Sequence, residues 1–188
     1  MSFPAEVDKL VMHANIIPDP HSETGHYQRQ TKAIHLGPDP SKWNGRPGLL
    51  SHEMGHHIHF ETNTVTHYSV HPDFEIAMKS DLKRLKTLEK TNPGMFNPYA
   101  CTSYIEQQYG KTLAEKRTEI GSFADTLGGL TKGKWGWGHK KSYYAKFNMW
   151  AMEVYANAFE AISQGDKIYQ QWFPEVTKAV RQSFNRAK

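Results

Sequence analysis

The stretch LLSHEMGHHIHF, Leu49 to Phe60, gathers His52, His56, His57 and His59 into little more than two helical turns. Its residues His52, Glu53, Met54, Gly55 and His56 make the pattern HExxH. On a helix, residues four apart lie on one face about one turn apart, so both imidazoles can reach one ion. Glu53 projects about 100° round the helix from His52, which places its carboxylate beside such an ion as a general base and not as a ligand. His59 shares the face of His52 but lies ~10 Å further along the axis, so it is read as core or as support for the site, with His57 pointing away. The metzincin form of the motif needs Gly at position 59 and His at position 62, where this chain has His59 and Thr62. The third protein ligand therefore has to come from elsewhere, and a carboxylate on a later helix is expected. Cys101 is the only cysteine, which rules out an internal disulfide and the cysteine-based zinc patterns.

Working outward, the 188 residues fit one domain, residues 1–188, with a hydrophobic fraction of 38% that is ordinary for a globular chain. Pro47 is placed to open the helix that carries the histidines to about Glu61. Upstream, PAEVDKLVMHA (4–14) has the spacing of an amphipathic helix, IIPDPHSETG (16–25) reads as loop, and Ala33 to Leu36 alternate as in a half-buried strand. Downstream, PDFEIAMKSDLKRLKTLEK (72–90) reads as a long helix ending at Asn92-Pro93-Gly94, with Phe74, Ile76, Met78, Leu82, Leu85 and Leu88 suited to one-sided burial. A helical region over 103–127, a glycine- and tryptophan-rich loop over 128–141, an apolar helix from Tyr144 to Ser163 and a last helix from Pro174 follow. The expected class is α+β, mainly α-helical.

The net charge of +4 is spread through helical stretches and forms no block, which disfavours a nucleic-acid partner. No basic segment followed by an apolar run marks a signal peptide, and no run reaches a membrane span. A cytoplasmic or virion-associated protein, or one delivered by other machinery, is expected.

Glu153, in FNMWAMEVYANAFEAIS, is the first candidate for the third ligand, because a carboxylate enclosed in so apolar a helix needs a compensating charge. The competing reading is a solvated polar face made by Glu153, Asn157, Glu160 and Gln164. Glu115 and Glu119, in LAEKRTEIGSF, are the rival ligands, on a more charged helix.

HEMGH followed far downstream by EVYANAF resembles the zincins related to the catalytic domain of anthrax lethal factor. The stretch from Ser122 to Ser163, with its GHKKSYY element, is similar to zincin-like domains of phage minor head and head-morphogenesis proteins. The resemblance covers Ala33 to Ile162 in patches. It implies a zincin-like fold, in which a small edge-strand sheet packs on an active-site helix and a second helix carries a ligand. It further implies that His52, His56 and Glu153 hold Zn2+ and that Glu53 is the base. In the lethal-factor pattern the catalytic tyrosine lies seven residues before the ligand glutamate, and here that position is Lys146.

The expected activity is zinc-dependent peptide hydrolysis, with Tyr144 as oxyanion donor and His139 and Tyr143 as the alternatives. The strand from Lys32 to Leu36 would pair with an extended protein or peptide substrate. Trp135 and Trp137 contact substrate or a partner, or anchor their loop, and Cys101 is a small buried residue. Two other classes compete: a non-catalytic phage assembly module, with phage structural proteins as partners, and a basic nucleic-acid-binding domain. Glu53 argues against the first, since a structural zinc needs no base.

Overall fold

The computed structural model describes residues 11, 14–22, 24–39 and 48–186. The helix expected over residues 4 to 14, Val11 and Ala14 apart, lies outside the described residues, as does Pro47, expected to open the histidine helix. The first described elements are three short strands, β1 (Asn15–Pro18), β2 (Gly25–Gln28) and β3 (Ala33–Leu36), in the spatial order β1-β3-β2. β3 runs parallel to β1, with Ile16 opposite Ile34, and antiparallel to β2, with Tyr27 opposite Ile34.

Two expectations are corrected here. Residues 16–18, read as loop, belong to β1: the pairing comes from a strand further along the chain, and Pro18 sits at the strand's end, where a missing donor is tolerated. β3 is central and paired on both sides, so it offers no edge to a substrate; Ala33, Ile34 and Leu36 are all buried, as suits a central strand. The strand edge that lines the main cleft belongs to β2.

Helix α1 (Leu49–Glu61) carries the histidine motif. It packs against β2 and β3 on one side and a later helix on the other, so His52, Glu53, His57, His59 and the apolar Met54 and Ile58 are all buried. Helix α2 (Pro72–Thr91) opens on Pro72, with the Asp73 N–H donating to His71 Nδ1 at 3.3 Å. It buries Phe74, Ala77, Met78, Asp81 and Leu85 at helical spacing, whereas Ile76, expected inward, lies on the opposite face and is exposed.

The helical region expected over 103–127 comprises two helices, α3 (Cys101–Tyr109) and α4 (Arg117–Thr131), separated where Gly110 takes a left-handed φ of 59°. The remaining helices are α5 (Lys141–Tyr144), α6 (Met149–Ser163), α7 (Lys167–Trp172) and α8 (Pro174–Ser183), followed by a 3-10 turn, Phe184–Arg186. The apolar helix expected from Tyr144 thus starts at Met149, after Phe147 has broken the chain direction with φ 41°.

α1 lies along α6, α6 along α4, and α8 against α2 and α6, around one continuous core that includes Ile58, Phe74, Phe123, Tyr155 and Phe159. Cys101 is buried in it. Trp137 donates from Nε1 to Thr102 Oγ1 at 2.8 Å and Trp135 packs on Phe96, so both indoles anchor their loop. No described helix is long and apolar enough to cross a membrane.

Asp81 ties two of these helices together, because its Oδ2 accepts from the Val176 N–H in the first turn of α8 at 2.9 Å. Asp81→Ala leaves that buried donor unsatisfied and is expected to cost about 1–3 kcal/mol of stability. Burial pushes the Asp81 carboxyl up, against the lowering effects of the Val176 N–H and Arg84. The folded state therefore holds this proton more tightly than the unfolded chain. That contribution is full below the ordinary value of 3.8 and is lost as pH rises through the raised one. Asp81→Asn, which keeps an acceptor, is expected to remove this slope, read as the difference between wild-type and variant urea unfolding across acid pH.

Candidate metal centre and its cleft

α1 presents His52 and His56 one turn apart, and α6 presents Glu153 opposite them. His52 Nε2 lies 3.3 Å from Glu153 Oε2, and His56 Nε2 lies 3.6 Å from Glu153 Oε1. All three ligand atoms fall within 4.8 Å of one another. Tetrahedral zinc with bonds of roughly 2.0–2.1 Å needs donors about 3.3 Å apart, which the two histidine–glutamate distances approach.

The helices meet this closely because Gly55, inside the motif, has no side chain. A Cβ there would stand 2.7 Å from Ala156 Cα and 3.1 Å from Ala156 O. Both obstacles are backbone, so they cannot swing aside. Gly55→Ala gains about 1 kcal/mol of helix propensity but overpacks the seam at a cost of about 1–3 kcal/mol. The expected result is a net loss of stability together with weaker zinc binding, read by urea unfolding and zinc titration. A variant more stable than wild type with unchanged zinc affinity would contradict this close approach.

Glu53, Asp125, Glu153 and Glu160 are all buried around this cluster, and buried carboxylates are costly unless compensated. Glu153 Oε2 is buried with no hydrogen bond of ordinary geometry reaching it. Burial acts to raise the Glu153 carboxyl, but the imidazoles around it hold it well below the usual carboxylate range. Burial likewise opposes charging of His139, yet Glu153 and Asp125 outweigh it and hold that imidazole above its usual value. His139 Nε2 is 3.5 Å from Glu153 Oε2.

Several supporting side chains were not singled out by sequence. Glu160, one of the residues of the supposed solvated face, is buried; its Oε2 accepts from Ser122 Oγ at 2.8 Å and stands 3.5 Å from His52 Nδ1. This carboxylate thus faces His52 on the side away from Glu153. Glu153 and Asn157 of the same face are buried as well, and only Gln164 is exposed. Asp125 joins His139 and Glu153 in a second group with ligand-like spacing. However, its Oδ1 accepts from the Tyr144 hydroxyl and its Oδ2 from Asn157 Nδ2 at 2.8 Å, so it acts as a brace. The signal for Asp125 was a lone acid among Phe123, Ala124 and Leu127, which needs partners when buried.

The structure separates the candidate donors Tyr143 and Tyr144. Tyr144 is buried, with its hydroxyl on Asp125 and lying over Gly128, where a Cβ would come within 3.0 Å of the Tyr144 ring carbon Cζ. It does not line the cleft. Tyr143 does: its hydroxyl donates to Glu153 Oε1 at 2.6 Å, and its ring stacks on His139 at 4.0 Å. Lys146 is exposed. The rival ligands are spent at the surface, Glu115 on Lys111 at 3.0 Å and Glu119 on Lys116 at 2.6 Å.

The cluster forms one wall of a cleft of about 670 Å³. Residues Gly25 to Gln28 of β2 form another wall, with Glu53 and the pair His139 and Tyr143 also lining it. Glu53 is near enough to bias the protonation of both His56 and Tyr143. Comparison of the chain with protein-family models, with curated proteins and with solved structures finds no match.

Proposed function

We propose that this chain is a zinc-dependent peptidase of zincin type. The reading is carried by one observation: Glu53 lines an open cleft beside the group His52, His56 and Glu153, between a strand edge and two proton donors. A purely structural zinc commonly has four protein ligands and a closed site; here three donors meet an open cleft.

His52, His56 and Glu153 would hold the zinc, which when bound would supply Lewis acidity to a carbonyl oxygen and to a water. The backbone of β2 holds an extended peptide by main-chain hydrogen bonds, and side-chain pockets along the cleft select its sequence. Glu53 takes a proton from the attacking water as its oxygen bonds to the scissile carbonyl carbon. Tyr143 and His139 donate to the carbonyl oxygen as negative charge develops there. Glu53 then returns the proton to the leaving amine as the C–N bond breaks, and the second proton of the water follows to the amine, leaving a carboxylate and an ammonium. Asp125 and Glu160 hold His139, Tyr144 and His52 in place and take no part in bond making.

The test is incubation of the zinc-loaded protein with a mixture of unstructured peptides, with products read by mass spectrometry. New termini that disappear with a chelator and return with zinc are expected. An intact mixture with zinc-loaded protein would count against the reading.

A further inference from the structure

We propose that His59 is a positioning residue: with the carbonyl of Val65 it fixes His56 as the Nδ1–H tautomer and so keeps the His56 Nε2 lone pair turned towards the metal site. The inference rests on the zinc-peptidase reading for its purpose, but its geometry stands on the protein alone.

The relay begins where α1 ends. Asn63 takes a left-handed φ of 51°, which folds the chain back so that Val65 lies beside the helix it has just left. Thr64 N–H donates to the His59 carbonyl at 2.9 Å, and Val65 pairs with Val70 in an isolated bridge. The Val65 carbonyl is thereby fixed 2.8 Å from His59 Nδ1. A carbonyl only accepts, so His59 Nδ1 carries the proton.

His59 is fully buried against the rings of Phe60 and Tyr155. An imidazolium sealed there, with only a carbonyl and another imidazole as partners, is disfavoured, so the ring is neutral. A neutral imidazole with its proton on Nδ1 has a bare Nε2. That atom stands 3.2 Å from His56 Nδ1, so His56 Nδ1 must be the donor.

His56 then has a bare Nε2, and this is the atom 3.6 Å from Glu153 Oε1. Two atoms that can only accept face each other across the site, and no proton lies between them. That contact is not a hydrogen bond; a cation satisfies both. The two ligand histidines thus receive different support: His52 from the Glu160 carboxylate and His56 from a neutral imidazole.

The experiment is nitrogen-resolved NMR of the histidine rings in the metal-free protein, with zinc titration of the same samples. Wild type is expected to show His56 with Nδ1 protonated and Nε2 bare. His59→Phe removes the acceptor and is expected to mix the His56 tautomers and weaken zinc binding by about 10–100-fold. His59→Gln offers an oxygen to His56 and an N–H to Val65, and is expected to recover both the tautomer and most of the affinity. Protonation of His56 on Nε2 in the wild type overturns the proposal, and so does a folded His59→Phe with unchanged tautomer and affinity. If His59→Phe does not fold, the wild-type spectrum and His59→Gln decide. A wild type that shows the Nδ1–H tautomer yet takes up no zinc supports the relay and removes the peptidase reading instead.

Discussion

Glu53→Gln is expected to lower kcat for peptide hydrolysis by about 10²–10⁴-fold, the usual worth of a general base, while zinc content stays at the wild-type level. Glu53 is buried at the cleft wall and is not one of the three residues whose ligand atoms converge. Its carboxamide replacement fills the same volume but cannot take a proton from water. The split between rate and metal content is what identifies a base. Loss of zinc would make Glu53 a ligand, and an unchanged rate would remove it from the chemistry.

Tyr143→Phe is expected to lower kcat by about 10²–10³-fold, as removal of an oxyanion donor does, again with zinc retained. Burial first and then the Glu153 charge push the pKa of this hydroxyl up, which favours its protonated, donating form. Tyr144→Phe is the matched control. It removes a partner from the buried Asp125 carboxylate and is expected to lower stability by about 1–3 kcal/mol, with less than a tenfold change in kcat attributable to chemistry. If Tyr143→Phe loses zinc with kcat of the loaded fraction unchanged, the hydroxyl serves to orient Glu153. Steady-state kinetics on zinc-loaded samples, with unfolding curves beside them, separate these results.

The contrast between these tyrosines shows what was legible in the sequence. HExxH is local: spacing on one helix is enough to bring His52 and His56 together and to set Glu53 to one side, and the structure has this arrangement. Glu153 was legible because a carboxylate in so apolar a helix has few other uses. Tyr143 and Tyr144, by contrast, are adjacent residues whose side chains point about 100° apart on a helical turn. Which one meets the cleft depends on Asp125 and Gly128, both on α4, and no local pattern carries that information.

The same distinction explains the strands. Ala33 to Leu36 are apolar enough to mark a strand, but their central position depends on β1, whose Pro18 and following Asp19-Pro20 dominate the local signal. Glu160 and Ser122 are far apart in the chain and adjacent only once α4 and α6 pack together. His59 was legible as support for the site but not as a relay, because its partner carbonyl arrives through the turn at Asn63.

Metal content, measured by mass spectrometry on protein purified without a histidine tag, tests the proposed centre most directly. Wild type is expected to carry one zinc per chain, Glu153→Ala to lose it, and Glu119→Ala, whose carboxylate pairs with Lys116 away from the cluster, to keep it. A wild type without zinc even after it is added back, or a Glu153→Ala variant that still holds a full equivalent, would contradict the proposed centre.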